Sequence, residues 1–208
     1  NPELLQELTV ESITEGAVVN SITYKGGYLA VAVEAPTKTD NGWVALFDAT
    51  SLEMLGYEQV GAQPDMVTFT PDGEYVLTAN EGEPSTDYQI DPVGSISILG
   101  VSEGQLVEVR TAGFSAFNTQ ADTLRSAGVR IYGPDASVEQ DLEPEYIAIS
   151  SDSSTAWVSL QENNALAKVD IATATVTDIL PLGYKDHGTA GNGLDVSDSD
   201  DAINIDTW

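Results

Sequence analysis

QPDMVTFTPDGEYVLTANEGEPSTDYQIDPVGSISILGV, residues 63–101, is the stretch that decides the fold. Residues 65–70 alternate toward Pro71-Asp72-Gly73, a tight-turn sequence. Residues 74–80 read as a second strand and 94–101 as a third, after an acidic loop. A Ser102-Glu103-Gly104 turn then leads to a fourth strand at 106–111. Four consecutive antiparallel strands are the form of one β-propeller blade.

The same unit recurs on both sides. The first copy has strands at 18–24, 28–34, 43–48 and 54–60, with a turn at Lys25-Gly26-Gly27. The third has strands at 145–150, 155–161, 165–170 and 175–180. Aligning the third strands puts Asp48, Gly100 and Asp170 in register. The extra length before the third copy falls in FSAFNTQADTLRSAGV, residues 114–129, where alternation gives way to helical spacing. The expectation is an all-β chain: a partial β-propeller of about three four-stranded antiparallel blades with a short helical insertion. It divides into blade 1 at 17–61, blade 2 at 63–112, insertion 113–143, blade 3 at 144–182, and an acidic loop with the start of a further blade at 183–208. Residues 8–13 read as a strand without a hairpin partner, suited to completing a blade from the other terminus, and residues 202–205 as the start of another strand. Three blades do not close a ring. Their open edges are expected to be covered by further blades or by a second copy.

A chain of 208 residues, 41% hydrophobic, can bury a substantial core as a single domain. Its 34 acidic residues against 7 Lys and Arg give a net charge of −27. Phosphate-rich nucleic acid and anionic membranes are therefore poor partners, and cations are the natural ones. Salt adaptation is the other reading of such a surface. The chain lacks cysteine, which removes disulfides and thiolate chemistry. It opens at Asn1 without a signal peptide, as a mature or trimmed protein would, and no apolar run approaches the ~20 residues that span a bilayer. Walker and dinucleotide-binding sequences are absent, as is a Gly-x-Ser-x-Gly elbow.

Propeller topology puts the loops between second and third strands on the same face as the connections between blades. Glu34, Glu81 and Glu162 end equivalent second strands, and Asp65, Glu143, Glu145 and the segment 184–201 come to that face through the connections. Crowded carboxylates repel unless a cation neutralises them, and oxygen-only donor sets suit Ca²⁺. The candidate metal ligands are Glu81, Glu83, Asp87, Asp91, Glu143, Glu145, Asp195, Asp198 and Asp200. The last three alternate as in a calcium loop but lack the glycine and distant glutamate of an EF-hand; a solvated loop is the competing reading. His187, the single histidine, is the candidate acid or base, against the reading of an incidental surface residue. Trp43, Tyr75 and Trp157 lie in strand runs and read as blade packing. Arg130 and Tyr132 could meet an anion or simply support the insertion.

Residues 63–88, GVRIYGPDASVEQDLEPEYIAIS at 128–150, AWVSLQENNALAKVDI at 156–171 and ILPLGYKDHGTAGNGLDVSDSDDAINI at 179–205 together resemble the choice-of-anchor I domain family. The resemblance implies a secreted, periplasmic or cell-surface bacterial β-propeller, similar to YVTN and phytase-like propellers, some of whose members carry an alkaline-phosphatase label. The expected function is a surface recognition or scaffold module, with calcium as its cation and no organic cofactor. The alternative is a calcium-dependent phosphoesterase acting on a phosphate ester, with Glu81, Glu145 and Asp195 as metal ligands and His187 as acid or base. A purely structural surface-layer role is the third reading.

Overall fold

The structure is a computed structural model, and it describes residues 6–197, 199 and 201–206. Twelve strands form three four-stranded antiparallel sheets, each built in chain order. Blade 1 holds β1 (Val18–Lys25), β2 (Tyr28–Glu34), β3 (Asn41–Asp48) and β4 (Met54–Ala62). Blade 2 holds β5 (Pro64–Phe69), β6 (Tyr75–Asn80), β7 (Ser95–Ser102) and β8 (Gln105–Gly113). Blade 3 holds β9 (Pro144–Ile149), β10 (Thr155–Leu160), β11 (Ala165–Asp170) and β12 (Thr175–Pro181). The first strands β1, β5 and β9 lie side by side at the inner edge, and β4, β8 and β12 neighbour one another at the outer edge. This radial arrangement is a partial propeller. Asp48, Gly100 and Asp170 each pair with the first residue of a second strand, Tyr28, Tyr75 and Thr155.

The apolar runs of β2, β3, β6 and β7 are nearly continuous because these inner strands are buried on both faces. In β6, Val76 packs toward blade 1, with Val44, Leu46 and Val67, whereas Leu77 packs toward blade 3, with Val158 and Leu160. Blade 3 buries Ala156, Val158 and Leu160 against blade 2, while Trp157 on its other face is 37% exposed under the Lys168 ammonium. Trp43, by contrast, packs into blade 1.

The helical segment is a 3₁₀ turn at Ser115–Gln120, then α1 (Ala121–Ala127), ended by left-handed Gly128. Fully buried Phe114 fastens its start, and Leu124, Val129, Ile131, Val138 and Leu142 join the core shared by blades 2 and 3. A second helix, α2 (Val138–Asp141), was not foreseen, although Ser137 and Gln140 form a capping box. Gly94 permits its close approach: a Cβ there would lie 1.9 Å from the Leu142 carbonyl oxygen.

Two expectations at the ends need correction. Residues 8–13 are not a strand but a turn, with the Ile13 amide donating to the Val10 carbonyl at 2.9 Å. Val10 is buried with Val31, Val33, Ala45 and Phe47 and with partly buried Ile13 and Ala17, so this segment covers the outward face of blade 1 through its side chains rather than by pairing. Residues 202–205 likewise form no strand; a single antiparallel bridge joins Leu194 and Asp206. Among the described residues no helix is long and apolar enough to cross a membrane.

Candidate functional site

Part of the carboxylate set that the topology sends to one face, Asp65, Glu81, Glu83, Glu143, Glu145 and Glu162, lies within mutual electrostatic reach. Gln63, between β4 and β5, has a positive φ of 52°. Its carbonyl accepts the Glu81 amide at 2.9 Å and its side-chain amide donates to the Glu81 carboxylate, which seats Glu81 just beyond β6. Burial pushes Glu81 up to about 8, helped by Glu83, Asp65, Glu145 and Glu143. Asp65, at the start of β5, is raised by burial and then by Glu34. These two groups link all three blades, since Glu34 belongs to blade 1 and Glu145 to blade 3.

Glu143 and Glu145 flank Pro144 at the start of β9, and each is raised to about 7. Burial is the main cause for both. For Glu143 the charges of Glu162, Glu83, Asp141 and Asp91 add to it. Glu145 and Glu162 come close enough for their carboxyls to share a hydrogen bond, and Gln161 donates to Glu145 at 3.4 Å. Behind them, fully buried Asn163 donates to the backbone carbonyls of Arg130 (2.9 Å) and Asp141 (2.6 Å) and accepts the Glu143 amide at 3.1 Å. The Asp141 carboxylate accepts the amides of Tyr132 (3.0 Å) and Gly133. This buried network joins the insertion to blade 3 and fixes where Glu143 stands.

Positive charge is scarce there. Lys38, from the β2–β3 loop of blade 1, pairs with Glu83 and holds it below the usual carboxylate range. Three buried oxygens of this region, Gln63 Oε1, Asp91 Oδ1 and Glu162 Oε2, have no hydrogen-bond donor. The face therefore carries an excess of acceptors, the complement of a hard cation or of protons.

Not every candidate joins the cluster. Asp87 accepts the Ser85 hydroxyl at 2.8 Å and the Gln89 amide at 3.2 Å within its own loop, and these bonds lower its pKa. Asp91 sits at the edge, raised by burial and by Asp141. Asp195 accepts the amides of Ser197 and Asn204, at 3.3 and 3.0 Å, in the 183–206 segment. His187 Nδ1 lies 2.6 Å from the Asn192 carbonyl oxygen in that same segment. Asp198 and Asp200 lie outside the described residues. Among the described residues Arg130 forms no ion pair; its guanidinium donates to the Glu162 carbonyl at 3.2 Å. Conversely, Asp65 and Glu162 belong with the cluster as fully as any predicted ligand, and the repeat alignment pointed to Glu162. Gln63 and Asp141 carried no signal separable from ordinary loop residues. Among the described residues, no three acidic or imidazole side chains already stand at metal-ligand spacing.

No curated protein matches the sequence. Among solved structures, the Dos1 propeller is similar at 12% identity and a TM-score of 0.53, over 85% of this chain and 38% of that one. The β-propeller domain of the Trilobed protease from Pyrococcus furiosus matches at 9% identity and a TM-score of 0.47, over 79% and 42% of the two chains. Hydrazine synthase of Kuenenia stuttgartiensis matches at 12% and 0.49, over 80% and 50%. The chain spans half or less of each of these structures, and its likeness to the Dos1 propeller is one of fold. The sequence is more specific: the choice-of-anchor I domain model matches residues 1–208, and the chain belongs to that family.

Proposed function

We propose that this chain is a cell-surface recognition or scaffold module whose converging carboxylates bind a divalent cation, calcium first among them. The observation that carries the reading is the meeting of Asp65, Glu81, Glu143, Glu145 and Glu162 beside donorless Gln63 Oε1 and Glu162 Oε2. Burial first, and then neighbouring carboxylates, raise the proton affinities of Asp65, Glu81, Glu143 and Glu145, so without a cation these groups tend to hold protons. An all-oxygen donor set on loops of different blades favours Ca²⁺, which tolerates irregular geometry, over the stricter Mg²⁺. Asp65, Glu81, Glu143, Glu145 and Glu162 fit as its ligands; Glu83 is already engaged by Lys38, and Asp87 and Asp195 by their own loops. The surface role is supported by membership of a family described by its choice of anchor.

The test is thermal unfolding in calcium and in EGTA at about pH 8, where Glu81 ionises. A cation bound only by the folded protein, at about 100 times its Kd, adds about 2.7 kcal/mol, or roughly 5–10 °C for a chain of this size. Equal midpoints in calcium and EGTA would remove the calcium site; a larger rise in magnesium than in calcium would reassign the ion.

A further inference from the structure

The carboxylate face carries a groove of about 390 Å³, lined among others by Lys38, Glu83, Tyr88, Tyr132, Glu143 and Glu162. Two of these are large rings left in solvent: Tyr88, in the loop between β6 and β7, is 53% exposed, and Tyr132, in the insertion, is 59% exposed. They come from different parts of the chain and line one opening. Burial raises the Tyr132 phenol, and Glu143, Asp141, Glu162 and Tyr88 raise it further, so it stays neutral within electrostatic reach of the carboxylates. Neither ring is needed to fill the core, and the Tyr132 backbone is held independently through its amide on Asp141.

The chemistry of the walls selects among ligands. Phosphate or another anion meets Glu83, Glu143 and Glu162 and is repelled. A bare metal ion gains from the carboxylates but nothing from the rings beyond. A neutral sugar gains from the rings but leaves the negative field unanswered. A cation with an apolar skin uses both, because the faces of tyrosine rings are electron-rich and attract it while excluding water. The groove already holds one ammonium, that of Lys38 on Glu83.

We propose that the groove between Tyr88 and Tyr132 binds an alkylated ammonium group, with the two rings against its methyl groups and the Glu143 and Glu162 carboxylates facing its charge. The groove shares Glu143 and Glu162 with the proposed calcium ligands, whereas Asp65, Glu81 and Glu145 do not line it, so titration in EGTA, with those carboxylates free of calcium, tests the groove by itself.

The test is titration of the protein in EGTA with choline and with its uncharged isostere 3,3-dimethyl-1-butanol, followed by calorimetry. Choline is expected to bind at least about tenfold more tightly than the alcohol, and Tyr88→Ala and Tyr132→Ala each to weaken it by about three- to tenfold. Tyr132→Phe retains the ring and is expected to keep most of the affinity. The calcium-dependent rise in midpoint, measured on the same variants, is expected to persist. The proposal is overturned if choline does not bind, if the alcohol binds equally well, or if both alanine variants bind choline like the parent, because then the acidic surface alone gathers the cation. Failure of the calcium test with choline binding intact removes only the calcium reading.

Discussion

The two ends of the blades use the same side chain in opposite ways. At the hairpin-turn end, Asp48, Asp152 and Asp170 are held below the usual carboxylate range by donors a few residues away: the Ser51 and Thr50 amides, the Ser150 and Ser154 hydroxyls, and the Thr173 hydroxyl and amide. At Asp72 partial burial pushes upward, but bonds from Thr70 and Glu74 outweigh it. At the loop-bearing end, Asp65, Glu81, Asp91, Glu143 and Glu145 are all raised, by burial first and by neighbouring carboxylates second. Net charge alone therefore says little. A carboxylate that closes its own turn is satisfied and serves the fold, whereas one turned toward other carboxylates is left wanting a counter-charge. Asp87 shows that the distinction is local, since it lies in a loop of the second end yet is satisfied by Ser85 like a turn residue.

This contrast can be broken or sharpened by experiment. The largest effect is expected behind the carboxylate face. Asn163→Ala leaves the Arg130 carbonyl and the buried Asp141 carbonyl without this donor and should lower stability by about 3 kcal/mol, roughly 6–12 °C in Tm, and should weaken any calcium response by freeing Glu143. A pH series in EGTA comes next. Groups whose folded pKa is raised favour the folded state below their unfolded value and lose that contribution as pH rises through the folded one. With Glu143 and Glu145 at about 7 and Glu81 at about 8, the midpoint should fall by several degrees between about pH 5 and pH 8. Calcium should flatten that decline. A midpoint that rises over the same interval would mean that the carboxylates do not crowd.

Glu81→Gln isolates the central member. In EGTA at about pH 8 it should raise Tm by about 2–4 °C, the gain being limited by the group's partial exposure, while reducing the stabilisation by calcium. A lower midpoint would mark Glu81 as a structural acceptor for Gln63 instead. The smallest effect is expected at the opposite end. Asp152→Asn should lower Tm by about 2 °C or less, without altering the calcium response. Its contribution is present above the ordinary carboxylate range and is lost as pH falls toward about 2.

The blades were legible because their signals are local. Pro71-Asp72-Gly73 announces a turn, alternation gives the strands, and alignment of the third strands carries Asp48 onto Gly100 and Asp170 once the insertion before the third copy is set aside. The meeting of Glu81, Glu143 and Glu145 was legible at one remove, since topology alone assigns loops to faces. What stayed hidden depends on contacts between distant segments. Residues 8–13 have the apolar content of a strand, but Val10 and Ile13 meet blade 1 through side chains, and composition does not separate that from pairing. Whether Asp195 and Asp87 join the cluster depends on short hydrogen bonds inside their own loops. Nor does any spacing tie Lys38 to Glu83, or Tyr88 to Tyr132, across separate elements.

Asn163 has a mechanical consequence. By binding the insertion to the third blade, it makes Glu143, Glu145 and Glu162 travel as one piece, while Glu81 and Asp65 travel with the second. An ion between the two groups would act as a keystone, resisting the hinge-like splaying of adjacent wedges.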